Sequence, residues 1–164
     1  MKLKLEHRFE CSPEQYWEIV ADHEVDREMA TASDGEYELL FEETNDGITT
    51  RRQRLIMNRE LPSAMVKVLG TNRIGYELET VIDNNASRAE WQITPLVLPD
   101  RVSGAGVTMV TATKDGCLRV IEGNLTVRVP LIGKKMEERL VSDVAASYDR
   151  SAEIIRRRIQ AQKG

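Results

Sequence analysis

The chain of 164 residues has few of the residue types that mark specialised proteins. Its two cysteines, Cys11 and Cys117, are too few for a disulfide framework and lack the spacing of a zinc site. No apolar run approaches the roughly 18 residues of a membrane-spanning helix. The first residues alternate between apolar and charged side chains, which differs from the apolar centre of a signal peptide. We therefore expect a single domain over residues 1–164, located in the cytoplasm and without an integral membrane segment.

Catalytic and cofactor signals are also scarce. The only histidines are His7 and His23. His7 is in phase with apolar residues of a strand, and His23 lies in a charged segment without metal-ligand spacing. Gly104-Ala105-Gly106 falls within a strand, which excludes a dinucleotide loop. The net charge of −4 argues against a nucleic-acid partner. We expect no metal, no cofactor and no catalytic residues, and a monomer or weak homodimer.

The clearest positive signal is a long amphipathic helix over residues 131–162. Its apolar residues recur at helical spacing from Met136 through Val144 and Tyr148 to Ile159. Its middle is rich in small residues, which are Ala145, Ala146, Ser147, Ser151 and Ala152. Such an apolar stripe needs a long apolar partner.

Almost everything before this helix has the alternation of β-strands. The first strand precedes Ser12-Pro13-Glu14-Gln15, a capping box that opens a short helix. Residues 21–32 fit either a second short helix or an irregular loop. Six further strands follow, joined by turn signals such as Asn45-Asp46-Gly47. Strands in series with tight turns favour an antiparallel sheet.

The second and third strands carry opposite charges. Glutamates mark residues 36–44, with Tyr37, Leu39 and Phe41 expected on one face, and Arg51, Arg52 and Arg54 mark the returning strand. Opposite charges across an antiparallel pair support this hairpin. A solvated face with cross-strand ion pairs is preferred to a phosphate site.

This order of elements resembles the START-like (helix-grip, SRPBCC) superfamily, which includes polyketide cyclases/dehydrases and the birch pollen allergen. The local similarity lies in residues 9–17, in Leu61-Pro62 and in residues 129–137, and it is greatest to an uncharacterised bacterial branch. The resemblance implies an α+β fold in which a curved seven-stranded antiparallel sheet wraps around the C-terminal helix. It also implies an apolar cavity between the two.

The resemblance makes binding or transport of a small hydrophobic or amphipathic, lipid-like molecule the leading hypothesis. The residues expected to line the cavity are Trp17, Met65, Tyr76, Trp91, Met109, Arg119, Val144 and Tyr148. Alternatively, Trp91, Tyr76 and Met109 fill the space, and the small residues of the helix let it approach the sheet. A filled core would favour a protein-interaction module.

A second alternative is an enzyme similar to polyketide cyclases/dehydrases, with His7, Arg119 and Tyr148 as the groups to test. A non-catalytic protein is preferred because no acid/base pair is evident. Arg119 shares the parity of buried residues on the last strand, but its charge favours an outward or rim position.

Two local predictions follow. Residues 61–70, with Met65, Val66 and Leu69 between Pro62 and Gly70, form a mobile flap at one end of the sheet. In a helix-grip sheet the first and last strands are neighbours, so Cys11 and Cys117 lie close together but remain reduced.

Overall fold

A computed structural model describes residues 1–58 and 60–164. In these residues the sheet has seven strands: β1 (Lys2–Phe9), β2 (Gly35–Asn45), β3 (Ile48–Met57), β4 (Ile74–Asp83), β5 (Arg88–Pro95), β6 (Val102–Thr113) and β7 (Gly116–Val127). The same ranges contain four helices: α1 (Pro13–Ala21), α2 (His23–Ala32), α3 (Ser63–Leu69) and α4 (Gly133–Lys163). None of these helices is long and apolar enough to cross a membrane.

All strand pairs are antiparallel, in the order β1-β7-β6-β5-β4-β3-β2. Consecutive strands are neighbours except at β1, which pairs with the last strand, β7. His7 stands opposite Arg119, and Phe9 stands opposite Cys117. The predicted α+β helix-grip architecture is confirmed.

The helices after β1 form for local reasons. Ser12 caps α1 by accepting a hydrogen bond from the Gln15 backbone N–H, and Pro13 occupies the first turn. Asp22 ends α1 and caps α2 through the Glu24 N–H. The segment 21–32 is therefore mainly a second helix, one of the two structures that its sequence allows.

The core consists of two apolar clusters along α4. The first contains Phe9, Tyr16, Cys117 and Ile155 near the C-terminal half of α4. The second cluster contains Leu3, Trp91, Ile121 and Leu125, against which Val144 and Tyr148 pack. The helix, roughly 46 Å long at 1.5 Å per residue, crosses both clusters.

The prediction that Tyr37, Leu39 and Phe41 share one face is wrong for Phe41. The β2–β3 register shifts between Leu39 and Phe41. The extra residue reverses the alternation, so Phe41 stands opposite Arg52 and is 45% exposed.

Cys11 and Cys117 lie close together, as predicted. Their Sγ atoms are 4.0 Å apart, and both residues are buried free thiols. Burial raises the pKa of Cys11 and raises that of Cys117 to about 12.

Candidate functional site

The concave face of the sheet is unevenly covered. Helix α4 packs against β1, β7, α1 and α2. On β3, β4 and β5, the inward-facing Leu55, Tyr76, Leu78 and Ile93 are only partly buried. These apolar side chains face the region between the middle of the sheet and α4, which we call the hollow, and Leu78 and Ile93 pack at the edge of the second apolar cluster.

Two tyrosines lie deep in the fold beside the hollow. Burial raises the pKa of Tyr148 to about 12. It also raises the pKa of Tyr76, against the opposing effect of the Arg150 guanidinium. Both side chains nevertheless remain only partly buried. Both tyrosines stay protonated at neutral pH, and the Tyr148 hydroxyl lies beside Thr108.

A buried guanidinium lies where the two apolar clusters meet. Arg119 is 2% exposed and donates from Nη1 to the Tyr16 hydroxyl at 3.3 Å and to Ser151 Oγ at 3.1 Å. Its Nη2 donates to the Tyr148 carbonyl at 3.1 Å. Arg119 therefore faces inward, where neutral oxygens and aromatic rings surround it. The expectation of an outward or rim position is wrong.

Aromatic faces complete the surroundings of this charge. The Arg119 Cζ lies 5.2 Å from the ring centroid of Phe9, 5.9 Å from that of Tyr16 and 5.3 Å from that of Tyr148. Such contacts partly replace hydration. Within residues 1–58 and 60–164, no carboxylate forms an ion pair with Arg119, and its buried Nε has no hydrogen-bond partner.

His7 lies directly across from Arg119 on β1. Its Nε2 is 2.9 Å from Asp149 Oδ1, and its pKa is lowered chiefly by burial. His7 is therefore neutral at pH 7. Because the carboxylate only accepts, Nε2 carries the hydrogen and Nδ1 holds a lone pair. That Nδ1 is buried without a partner in the described part of the chain. The three groups of the enzyme alternative, His7, Arg119 and Tyr148, thus lie together.

Trp91 forms part of the floor beside the hollow. Its indole lies over Gly106 and Gly123, where added Cβ atoms would come within 2.4 Å and 2.6 Å of the ring. The side chain is 5% exposed and packs in the second apolar cluster, and its buried Nε1 is unbonded among the residues described. Trp91 therefore packs in the core, and its contact with a ligand stays a prediction.

The remaining predicted ligand residues divide between the hollow and other places. Val144 joins Tyr148 on the face of α4 that packs on the second cluster. Trp17 packs on the first cluster instead and donates to Ser87 Oγ at 2.8 Å, which fixes α1 to the turn before β5.

The prediction for Met109 is wrong. Met109 stands opposite Val120 and Arg88 on the convex face, whereas its neighbours Thr108 and Val110 face inward and are buried. Thr108 occupies the position that Met109 was expected to hold, and it lies beside the Tyr148 hydroxyl. Its parity with the buried Val110 was the signal in the sequence.

The segment expected to be a flap contains α3. Met65, Val66 and Leu69 are all partly buried, and Val68 is 47% exposed. None of them belongs to either apolar cluster. The mobility of this segment stays a prediction.

The burial of a second polar side chain, at the opposite end of the sheet, was not predicted from the sequence. Arg51, expected on a solvated face, is 5% exposed and faces inward. It donates to Glu42 Oε2 at 2.6 Å and to the carbonyls of Val20 and Ala21 at 3.1 and 3.2 Å. The expected cross-strand pairs do occur at Arg51 and Arg54, which pair with Glu42 and Glu38. Arg51 thereby fixes the end of α1 to the β2–β3 hairpin.

A surface groove of about 540 Å³ lies elsewhere, between the end of β1, the β6–β7 turn and α4. Arg8, Phe9, Lys114 and Arg156 are among its lining residues, and none of the predicted ligand residues is. In the described residues, no group of three or more His, Cys, Asp or Glu side chains is placed to hold a metal ion.

A curved antiparallel sheet closed by a long C-terminal helix defines the START-like, helix-grip class. Within it, the chain belongs to the family described as "protein of unknown function (DUF2505)", whose model matches residues 4–159. No curated protein matches the chain in sequence.

Solved structures with the same fold include TTHA0849 from Thermus thermophilus, with 13% identity, a TM-score of 0.72 and complete coverage of both chains. The Zhui aromatase/cyclase from Streptomyces sp. R1128 has 13% identity and a TM-score of 0.66, covering 100% of this chain and 98% of that one. Ara h 8.0201 has 7% identity and a TM-score of 0.65, covering 94% and 97%. At these identities the likeness shows the fold alone.

Proposed function

We propose that the protein binds a small apolar or amphipathic molecule in the hollow and acts as a carrier or sensor. The observation that carries this proposal is the partial burial of Leu55, Tyr76, Leu78 and Ile93 beneath α4. Apolar side chains on the inner face of a sheet are normally covered by close packing. Here a ligand's apolar surface would complete that packing, at about 25 cal/mol per Å² buried.

The first test is native mass spectrometry of freshly purified protein, together with titration of a fluorescent fatty-acid probe. We expect a co-purified small molecule or saturable probe binding. Absence of both would contradict the proposal.

A pair of variants on one strand locates the binding. Leu78 faces the hollow, whereas Val81 on the same strand faces outward and is 37% exposed. Leu78→Trp should fill the hollow and weaken probe binding at least about tenfold, a loss of roughly 1.4 kcal/mol. Val81→Trp should leave binding unchanged. Equal effects of the two variants would place binding outside the hollow.

An enzyme similar to polyketide cyclases is the second candidate, favoured by the grouping of His7, Asp149, Arg119 and Tyr148. Neutral His7, oriented by Asp149, has the lone pair of a general base, and the Arg119 charge would stabilise an enolate. The test is incubation with a poly-β-keto thioester and detection of water loss by mass spectrometry. A product formed by the wild type but not by His7→Gln would favour catalysis over carriage.

A further inference from the structure

The buried charge of Arg119 bears on which ligands the hollow prefers. A guanidinium out of water is normally paired with a carboxylate, because desolvation costs several kcal/mol per ion. Arg119 instead has three neutral acceptors and three aromatic rings. The nearby Asp149 is bound by His7, and its side chain is 71% exposed. The positive charge is left without an ionised partner in the described chain.

Tyr148 connects this charge to the hollow. Its ring packs against the Arg119 guanidinium, its carbonyl accepts from Nη2, and its hydroxyl lies beside Thr108. Burial keeps this hydroxyl protonated. The Arg119 Cζ lies 5.3 Å from the Tyr148 ring centroid. An anionic group that accepts from the Tyr148 O–H would therefore interact across this ring with a fixed positive charge, in a poorly hydrated space.

We propose that the ligand of the hollow is an amphipathic carboxylate, and that Arg119 selects its ionised head over a neutral one. This inference rests on the proposed function, since it names the class of ligand for the same site. In this arrangement the apolar chain lies against Leu78 and Ile93, and the carboxylate lies beside Tyr148. Arg119 acts through its field and need not touch the ligand.

Arg150 is the competing cation. It lies on α4, is partly buried, and its buried Nε has no partner in the described residues. Its charge reaches Tyr76. Since Arg150 is more exposed than Arg119, water screens its field more strongly. We therefore assign the preference for an ionised ligand to Arg119, and the experiment below distinguishes the effect of Arg119 from that of Arg150.

The experiment is isothermal titration of decanoate and decanol, which share one chain length, at about pH 8, where the carboxylate is ionised. We expect the wild type to bind decanoate at least about tenfold more tightly than decanol, because water screens the Arg119 charge only weakly in a buried site. Arg119→Met should remove most of this preference and retain decanol binding. Arg119→Lys, which keeps the charge, and Arg150→Met should both retain the preference.

The outcomes are distinguishable. Equal wild-type affinities, a preference that survives Arg119→Met, or one lost in Arg150→Met would each overturn the assignment while the proposed function stands. Binding of neither compound would overturn both. If Arg119→Met does not fold, Arg119→Gln removes the charge while keeping a donor for Ser151. The wild-type comparison needs no variant.

Discussion

The close approach of Trp91 to Gly123 makes an alanine at that glycine a sharp test of the floor beside the hollow. A Cβ on Gly123 would lie 2.6 Å from both Cη2 and Cζ2 of Trp91 and 2.9 Å from the Ala105 carbonyl oxygen. Ordinary carbon contacts are about 3.5–4.0 Å, so the ring or the strand must move by about 1 Å. Overpacking of this kind costs about 1–3 kcal/mol. We expect Gly123→Ala to lower the free energy of unfolding by about 2 kcal/mol.

The cause of that loss is tested by a double-mutant cycle in urea. Trp91→Leu removes the part of the ring that reaches Gly123 and should itself cost about 2–3 kcal/mol, less than the 3–5 kcal/mol typical of truncation to Ala. In the Trp91→Leu background, Gly123→Ala should cost less than about 1 kcal/mol. The two substitutions should therefore couple by about 1 kcal/mol or more.

Gly104→Ala is the matched control, since its Cβ would meet the flexible end of Leu125 at 2.6 Å and nothing else closer than 3.6 Å. It should lose less stability than Gly123→Ala, and the loss should not depend on Trp91. Additive effects of Gly123→Ala and Trp91→Leu, within about 0.5 kcal/mol, would refute the placement of the indole over the glycine.

Three further predictions concern the polar groups. The pKa of His7 is lowered by burial, so the stabilising effect of neutral His7 is present above about pH 6.5 and is lost as pH falls through the folded-state pKa. His7→Gln should therefore flatten the dependence of urea stability on pH between about pH 7 and 5, and an unchanged slope would contradict this role of His7. Arg51→Gln removes the guanidinium that Glu42 and Asp26 share, although His23 and Gln53 remain beside these carboxylates, and should cost about 1.5–3 kcal/mol. Arg54→Gln on the convex face should cost clearly less, and similar urea midpoints for the two variants would count against the buried network. Because burial raises the pKa of both cysteine thiols, a thiol-specific disulfide reagent should label them slowly in the native state and rapidly in denaturant; rapid native labelling would show that the pair is accessible.

Much of the fold was predictable because alternation and turn residues are local signals. The β2–β3 hairpin shows both the strength and the limit of such signals. Its charge pattern predicted the pairing, but the bulge between Leu39 and Phe41 reversed the face of Phe41. A bulge changes the phase of all later residues in a strand, and nothing in the run Glu-Leu-Leu-Phe indicates where it falls.

The candidate site was harder to predict because its energetics depend on distant residues. The parity of Arg119 with Ile121 and Leu125 pointed inward, yet its charge favoured contact with water. The groups that replace that water, Tyr16 and Ser151, lie 103 and 32 positions away in sequence. The inward positions of Tyr148 and Val144 were predictable because a long helix shows its buried face directly. Met109 was misplaced because the glycines before it obscure which face of β6 is buried.

The pairing of β1 with β7 also has a consequence for synthesis. Cys11, just after β1, and Cys117, near the start of β7, are 106 positions apart. At roughly 5–20 residues per second, the ribosome takes roughly 5–20 s to supply the strand with which β1 pairs. During that interval β1 is an unpaired strand with apolar residues on one face. Charged side chains on its other face disfavour pairing of this strand with another nascent chain. They are Lys2, Lys4, Glu6 and Arg8.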